Sequence, residues 1–575
     1  VSRGIGEASR RFIPIVSWLP RYKKAWLARD VIAGFTIWGL LIPEMIAYAS
    51  LAGLPPQAGL YTLLASLALY AVFGTSRHLV VAGTSASAVL VFSAVTALNP
   101  DDTARYAALA GGVILLAGIL FILAGLLRLG FITQFLSRPV MAGFVFGLAI
   151  FVTVSQLPKI FGIEKGHGDT VEQFGHLVTS LGSTSMVTLA VGAGALVLLF
   201  GLERFAPRVP GGIVALVLGI VISSVFGLAG HGVATIGAIP TGLPSIGFPD
   251  LHAGDLWVLV PSALGMVLVM FSESLGAAQT FAEKYRYRID PNQEMIALGT
   301  ANLGSGFLGG LAAGGSLSQS AVNEGAGARS QMSPLVASVL SLVTVIALTP
   351  VFKNLPEAVL GALIIHAVSH LMKVGEMRRY YRLVPREFWI GMLTLAGVIV
   401  LDVLPGLILG VGTSLLLLVY RASKPRLSVL GADPHDPGAY VDIQRDPAGV
   451  TVPGVLVMRP DAALFYANAQ SVADGVEAAA HSSGAATRVV ILDLDATDEI
   501  DITSAESLDK VSAALDREHV QLALAHVHHP TLALAREAGL LTTLSDERVF
   551  PNIAAALAWA SDAGSNGSKN GGRPE

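Results

Sequence analysis

Val81-Ala82-Gly83-Thr84-Ser85-Ala86-Ser87-Ala88-Val89 and, far downstream, Ala312-Ala313-Gly314-Gly315-Ser316-Leu317-Ser318-Gln319-Ser320-Ala321-Val322 are two versions of one pattern. Each is an extended approach, a Gly, and then a small, hydroxyl-rich helix start. Both lie inside long apolar runs. Extended backbone at membrane depth is tolerated only where it is buried in protein or lines a wet cavity, and Ser and Thr there suit the N-cap position. If the two starts enter from opposite faces, they meet near the midplane. Unpaired backbone N–H groups and two positive dipole ends then converge on one small volume that favours an anion. Small residues that merely let helices pack closely are the competing reading.

The surrounding chain supports membrane depth. It has 575 residues, 53% hydrophobic and 14% charged, with a positive mean hydropathy, more apolar than a soluble core of that length carries. The excess fills Val31 to about Tyr420. Counted at about 20 apolar residues per span, fourteen segments fit there, two of them short. The first seven run near 31–52, 57–73, 80–98, 105–127, 139–157, 184–202 and 211–229. The second seven run near 254–282, 292–310, 315–328, 333–350, 355–372, 386–402 and 404–421.

Lys and Arg in short loops mark the cytoplasmic side. Every even loop is basic: Arg77 with His78, Arg128 with Arg138, Arg204 with Arg208, then Lys284, Arg286 and Arg288, then Arg329. The loop after the twelfth segment carries Lys373, Arg378, Arg379, Arg382 and Arg386, and the last segment is followed by Arg421, Lys424 and Arg426. Odd loops such as Leu54–Gln57, Asn99–Asp102 and His231–Gly242 are nearly free of both, with Lys159, Lys165 and Lys353 as exceptions. Both termini are therefore expected in the cytoplasm. Seven segments per half means that the halves enter from opposite sides, so any likeness between them is an inverted repeat.

Further stretches resemble the SulP sulfate-permease family, also called solute carrier family 26, over nearly the whole chain. They are Ile42-Pro43 through Ala47-Tyr48-Ala49 to Leu51-Ala52-Gly53-Leu54-Pro55-Pro56, Gly59-Leu60-Tyr61, and Phe73-Gly74-Thr75-Ser76-Arg77. Tyr287-Arg288-Ile289-Asp290-Pro291-Asn292-Gln293-Glu294, Ala297-Leu298-Gly299, Gly315–Ser318 with Ser320–Asn323, and Gly325–Arg329 follow. The resemblance implies an α-helical polytopic membrane protein with fourteen transmembrane segments in a seven-plus-seven inverted repeat, divided into core and gate domains. It also implies elevator-like alternating access, anionic substrates, homodimers and a C-terminal α/β STAS domain. The expected layout is a cytoplasmic N-terminal segment 1–30, a transport domain 31–422, a STAS domain 423–562 and a disordered tail 563–575. A bacterial-type inner membrane is the expected location.

Carried over residue by residue, the family's substrate site falls on Glu44 and Tyr48, on Thr84, Ser85, Ala86 and Ser87, and on Ser316, Leu317, Ser318 and Gln319. Glu273 resembles the proton-coupling carboxylate of sulfate symporters in the family. Two positions depart from the family pattern: Glu44 stands where many relatives have Gln, and Gln319 where many have Arg. Both make the pocket more negative. An ionised Glu44 would repel an anion a few ångströms away by on the order of several kcal/mol in a poorly screened interior. Glu44 is thus a second proton-coupling candidate, since a charged carboxylate at bilayer depth is costly and exchange of a proton is its expected chemistry.

Beyond Gly431 the texture is water-soluble. Strands are expected at Val455–Met458, Leu464–Tyr466, Arg488–Leu494 and Gln521–Ala525, and helices near Gln470–Ala480, Ser504–Leu515 and Leu532–Ala538. Val489–Asp493 leading into Ile500–Ser504 resembles the STAS strand, loop and helix start, and Thr503 matches the position that soluble relatives phosphorylate. Ordinary capping by Thr503 or Ser504 is the alternative.

Several classes drop out. A net charge of −4 speaks against nucleic acid as a partner. Without Cys there is no disulfide or thiolate site. The glycine-rich 304–315 stretch lacks the Lys of a phosphate loop, and no nucleophile, base and oxyanion arrangement suggests an enzyme. No cofactor or metal is expected: His526, His528 and His529 have no carboxylate beside them in sequence, and His366 and His370 are expected at the membrane interface. The Val1–Asp30 segment lacks a signal peptide's apolar core. The functions left open are a proton-coupled transporter of a small inorganic or carboxylate anion, a membrane-embedded STAS regulator with little transport, and an uncoupled exchanger or channel.

Overall fold

The computed structural model describes residues 12–567 except 99, 101, 132–136, 167–169, 207–208, 241, 245, 437, 483–486, 538–543 and 545. Arg208, Ala538, Asn99 and Asp101 of the expectations above lie outside the described residues, as do 568–575.

The apolar segments form fourteen helices, here α1 to α14. The first seven are α1 (Leu27–Leu51), α2 (Pro56–Phe73), α3 (Ser85–Thr96), α4 (Thr103–Leu126), α5 (Arg138–Phe161), α6 (Met186–Phe205) and α7 (Gly211–Phe226). The second seven are α8 (Ala253–Tyr285), α9 (Pro291–Phe307), α10 (Leu317–Gly325), α11 (Met332–Val343), α12 (Glu357–Ser369), α13 (Pro385–Val400) and α14 (Val403–Ala422). Among the described residues, nine helical stretches are long and apolar enough to cross a membrane. Their surfaces differ as a bilayer requires: 61% of the apolar window of α5 is buried inside the chain, but only 22% in α6 and in α14, which leaves apolar faces for lipid. Two short helices escaped the sequence reading, Thr170–Thr179 and Val374–Leu383. The latter carries Arg378, Arg379 and Arg382, so its charge had marked it as a plain loop.

Before the two shortest half-helices the backbone is extended, as β1 (Val80–Gly83) and β2 (Ala313–Ser316). These pair with each other antiparallel, Val80 opposite Ser316 and Gly83 opposite Ala313. Pairing satisfies only one edge of each strand, and polar side chains take the rest. Val80 N–H donates to Ser320 Oγ at 2.8 Å, and Gly315 N–H to Ser274 Oγ at 2.7 Å. Asn302 accepts from Ala313 N–H at 2.9 Å and donates to Ala313 C=O at 2.8 Å, so its amide acts as a third strand. The approach to β2 is held likewise, with Leu311 N–H donating to Thr62 Oγ1 and Ser305 Oγ donating to Leu311 C=O. Buried peptide groups in hydrocarbon need such partners. Gly315 has to be Gly: a Cβ there would meet Leu79 at 2.8 Å and Ser274 Cβ at 3.0 Å.

A buried carboxylate ties the family-like stretches together. Glu294 accepts from Tyr70 Oη at 2.6 Å, from Thr75 N–H and Oγ1 at 2.7 and 2.5 Å, and from Ser76 N–H at 3.2 Å. The turn after α2 is thereby fixed to α9.

The chain divides into two compact units, Val1–Ser414 and Leu415–Glu575. In the second, six strands lie in the order β4-β3-β5-β6-β7-β8: β3 (Leu427–Ala432), β4 (Tyr440–Asp442), β5 (Val455–Pro460), β6 (Val489–Asp493), β7 (Gln521–Ala525) and β8 (Val549–Phe550). Strands β5 to β8 are parallel, while β3 runs antiparallel to β4 and β5. Helices α15 (Ala469–Ser482) and α16 (Ile502–Arg517) cover one face through Val472, Val476, Leu508 and Leu515. A further helix, α17, spans His529–Glu537. Helix α18 (Ile553–Gly567) covers the other face through Ile553, Ala556 and Ala560.

Three expectations need correction. Leu464–Tyr466 is not a strand: Leu464 is buried in the core but Tyr466 is 69% exposed, and the segment is a turn leading into α15. Its apolar residues had mimicked a strand. Strands β3, β4 and β8 were missed: β4 and β8 are short, and β3 begins ahead of Gly431, where the water-soluble texture starts. The stretch from Ala563 is helical to Gly567, because the apolar face of α18 packs on the sheet and carries the helix into its polar end.

Candidate functional site

The antiparallel register sets the site. Strand β1 runs into α3 at one end of the ribbon and β2 into α10 at the other, which puts the N-caps Thr84 and Ser316 four register positions apart, about 13 Å along it at about 3.3 Å per residue. At α3, Thr84 is the N-cap and Ser87 completes a reciprocal box: Ser87 N–H donates to Thr84 Oγ1 and Thr84 N–H to Ser87 Oγ, both at 3.0 Å. Ser87 Oγ also donates to Ala312 C=O at 2.8 Å. The hydroxyls of Thr84 and Ser87 are therefore committed to the scaffold, while the N–H groups of Ser85 and Ala86 have no partner among the described residues. At α10, Ser316 is the N-cap, accepting from Gln319 N–H at 3.4 Å, and Leu317 and Ser318 N–H stand free in the same way. Ser318 Oγ lies 3.0 Å from Ser316 Oγ.

Gln319 joins three elements. Its Nε2 donates to Glu44 Oε2 on α1 at 2.8 Å and to Gly83 C=O at 3.2 Å. Its Oε1 is buried with no partner among the described residues. Tyr48 follows Glu44 by one helical turn and is 6% exposed. Substrate-site candidates from α1, α3 and α10 thus come together. Glu273 lies half-buried on α8, with no hydrogen bond or ion pair among the described residues. Its neighbour Ser274 tethers β2, accepting from Gly315 and donating to Met270 C=O at 2.5 Å. Sequence reasoning passed over Ser274, Asn302 and Ser320. The signal was available, since each is a polar residue in an apolar stretch that has extended backbone to satisfy.

In the soluble unit, Asp501 rather than Thr503 or Ser504 caps α16, accepting from Ser504 N–H at 2.8 Å. The Asp501 carboxylate, two positions before Thr503, outcompetes the hydroxyls because it also accepts from Tyr466 N–H at 2.6 Å. Thr503 is exposed in the first turn. The three histidines after β7 do not converge: His526 Nδ1 meets Asp493 at 2.8 Å, while His528 Nε2 lies 3.3 Å from Asp495 C=O.

Comparison with known proteins gives the lineage. Residues 27–394 match the model of the sulfate permease family, and residues 446–556 that of the STAS domain. The chain belongs to the sulfate permease family. It is 33% identical over 549 residues to a probable sulfate transporter of Mycobacterium tuberculosis, covering 96% of this chain and 98% of the relative. Its fold matches that of the murine solute carrier 26 family member A9 anion transporter in the inward-facing state, with TM-score 0.88 at 24% identity over 96% of this chain and 94% of that one. The transmembrane domain of a cyanobacterial bicarbonate transporter matches with TM-score 0.60 at 24% identity, over 68% of this chain and 99% of that one. This permease is accordingly a multi-pass membrane protein with a C-terminal STAS domain.

Proposed function

We propose that this permease is a secondary active transporter of a small anion, of the sulfate, bicarbonate or dicarboxylate class, working as a proton symporter by elevator-like alternating access. The observation that carries the reading is the ribbon register, which sends two capped helix starts off opposite ends of one ribbon, with N–H groups at Ser85, Ala86, Leu317 and Ser318 that have no partner among the described residues. Converging amides and dipole ends stabilise an anion without a buried cation. Tyr48 and Gln319 would line the same pocket. The names of the relatives, a probable sulfate transporter and a bicarbonate transporter, support the substrate class.

Glu44 sits badly with an anion while ionised, and Glu273 has no counter-charge among the described residues. Proton loading of both cancels negative charge as the anion enters, which is the coupling step. Fourteen spans, a homodimer, cytoplasmic termini and a bacterial-type plasma membrane complete the proposal, and Thr503 is its regulatory position: a phosphate there would lie at a helix N-terminus.

The test is uptake of labelled sulfate, bicarbonate and succinate into proteoliposomes at two pH values, with and without an inward proton gradient. Gradient-stimulated uptake of one anion is expected, and Glu273→Gln should bind that anion but lose the gradient response. Full pH-dependent uptake by Glu273→Gln would remove the coupling role. Gradient-independent flux would favour an exchanger or channel, and absence of both flux and anion-dependent thermal stabilisation would favour a regulator.

A further inference from the structure

We propose that Glu203, His366 and His370 form a binding site for a divalent transition-metal ion, with zinc the best fit to the donors, where α6 and α12 end on the membrane face marked by Arg204 and Lys373. His366 and His370 stand one turn apart at the end of α12, so their rings project from one face. Glu203 comes from the last turn of α6. His366 Nε2 lies 3.0 Å from Glu203 Oε2, and His370 Nε2 lies 2.7 Å from Glu203 Oε1. One donor atom from each of the three residues falls within 4.8 Å of the others.

The hydrogen bonding calls for positive charge at the centre of this cluster. His370 Nδ1 lies 2.9 Å from His366 C=O, and a carbonyl only accepts, so Nδ1 carries the hydrogen. In the neutral ring Nε2 then presents a lone pair, and 2.7 Å away it faces a carboxylate oxygen, which presents another. A cation between them resolves the conflict. His366 Nε2 donates to the other carboxylate oxygen from its neutral ring, so the conflict sits at His370 and the cluster requires either one added proton there or one metal ion. Two imidazoles and a carboxylate are the donor set of open zinc sites, with water completing the shell. An Nδ1–H held by a backbone carbonyl is the usual support of a metal-bound imidazole.

Geometry and access agree. Bonds of about 2.0–2.2 Å place tetrahedral ligand atoms about 3.3 Å apart, so the two His–Glu contacts, at 3.0 and 2.7 Å, open slightly while the donor set, all within 4.8 Å, gathers around the ion. The Phe200 ring lies edge-on to His366 at 4.9 Å, and the two imidazoles at 5.0 Å, which restrains both rings. Side-chain exposures of 22% for His366, 50% for His370 and 46% for Glu203 leave an entry path and room for water. A bound ion would staple α6, from the first half of the chain, to α12, from the second.

The experiment uses the full-length protein, purified in detergent and stripped with a chelator. ZnCl2 is titrated calorimetrically with MgCl2 as control, and CoCl2 is followed by visible absorption. Saturable zinc binding that magnesium does not reproduce is expected, as are the d–d bands of low-coordinate cobalt, reversed by EDTA. Glu203→Gln and His370→Gln should each weaken zinc binding by more than about tenfold. His481→Gln, which alters an exposed His–Glu pair in the soluble unit, should leave it unchanged. Equal zinc affinity in the wild type and both cluster variants would overturn the site, as would a wild-type protein with no cobalt bands. Thermal stability that responds to pH but not to zinc would assign the cluster to protons instead and sink the proposal.

Discussion

The start of α3 and the start of α10 are one motif in two settings. At α3 the cap is reciprocal, with both bonds at 3.0 Å, and residues 84–87 are all buried. At α10 the cap bond from Gln319 N–H is 3.4 Å long, Leu317 is 49% exposed, and Ser318 is open. Long-range bonds hold the second start, from Gln319 to Glu44 and Gly83 C=O and from Val80 N–H to Ser320. The first end is therefore a fixed anchor. The second is tied to a carboxylate on another helix, and the proposed discrimination and coupling rest on that end.

The contrast can be broken at the scaffold beneath both starts. Asn302→Leu strips Ala313 of partners for its N–H and C=O, at about 1–3 kcal/mol for each unsatisfied group. It should lower thermal stability more than any substitution at the helix starts themselves, read as the midpoint of heat-induced loss of the size-exclusion peak. A midpoint equal to wild type would mean that the ribbon does not need its third edge. Ser87→Ala and Ser318→Ala test the two ends directly. The former should lose about 1–3 kcal/mol through the orphaned Thr84 N–H, and the latter under about 0.5 kcal/mol; equal losses would erase the distinction between anchor and open end. Glu44→Gln keeps a hydrogen-bonding group of the same shape and removes the charge. Anion affinity at neutral pH should rise by about tenfold or more with little change in stability, measured by equilibrium binding of the labelled anion. Unchanged affinity would show that Glu44 is already neutral before the anion arrives.

The sequence carried much of this arrangement. Thr84 and Ser316 were legible as caps because a hydroxyl after Gly at the start of an apolar helix has few other uses. The two extended approaches were legible because a Gly followed by a hydroxyl-rich helix start recurs at both places. Short strands in the soluble unit were not: β4 and β8 are defined by neighbours across the sheet, and Leu464–Tyr466 shows that an apolar triplet alone does not make a strand. Asp501 was missed as a cap because local spacing favoured the hydroxyls, whereas its second bond, to Tyr466 N–H, comes from a distant loop.

What the chain's order of residues determined by itself is the membrane segments, their inverted halves and the caps of the half-helices, since hydropathy, loop charge and helix-start chemistry are local quantities. Only the tertiary structure decided that Val80 faces Ser316, that Asn302 edges β2, that Gln319 reaches Glu44 and that Glu203 meets His366 and His370. Those pairings join residues far apart along the chain, and they form because unpaired peptide groups and charges at depth must find partners wherever packing brings them within reach.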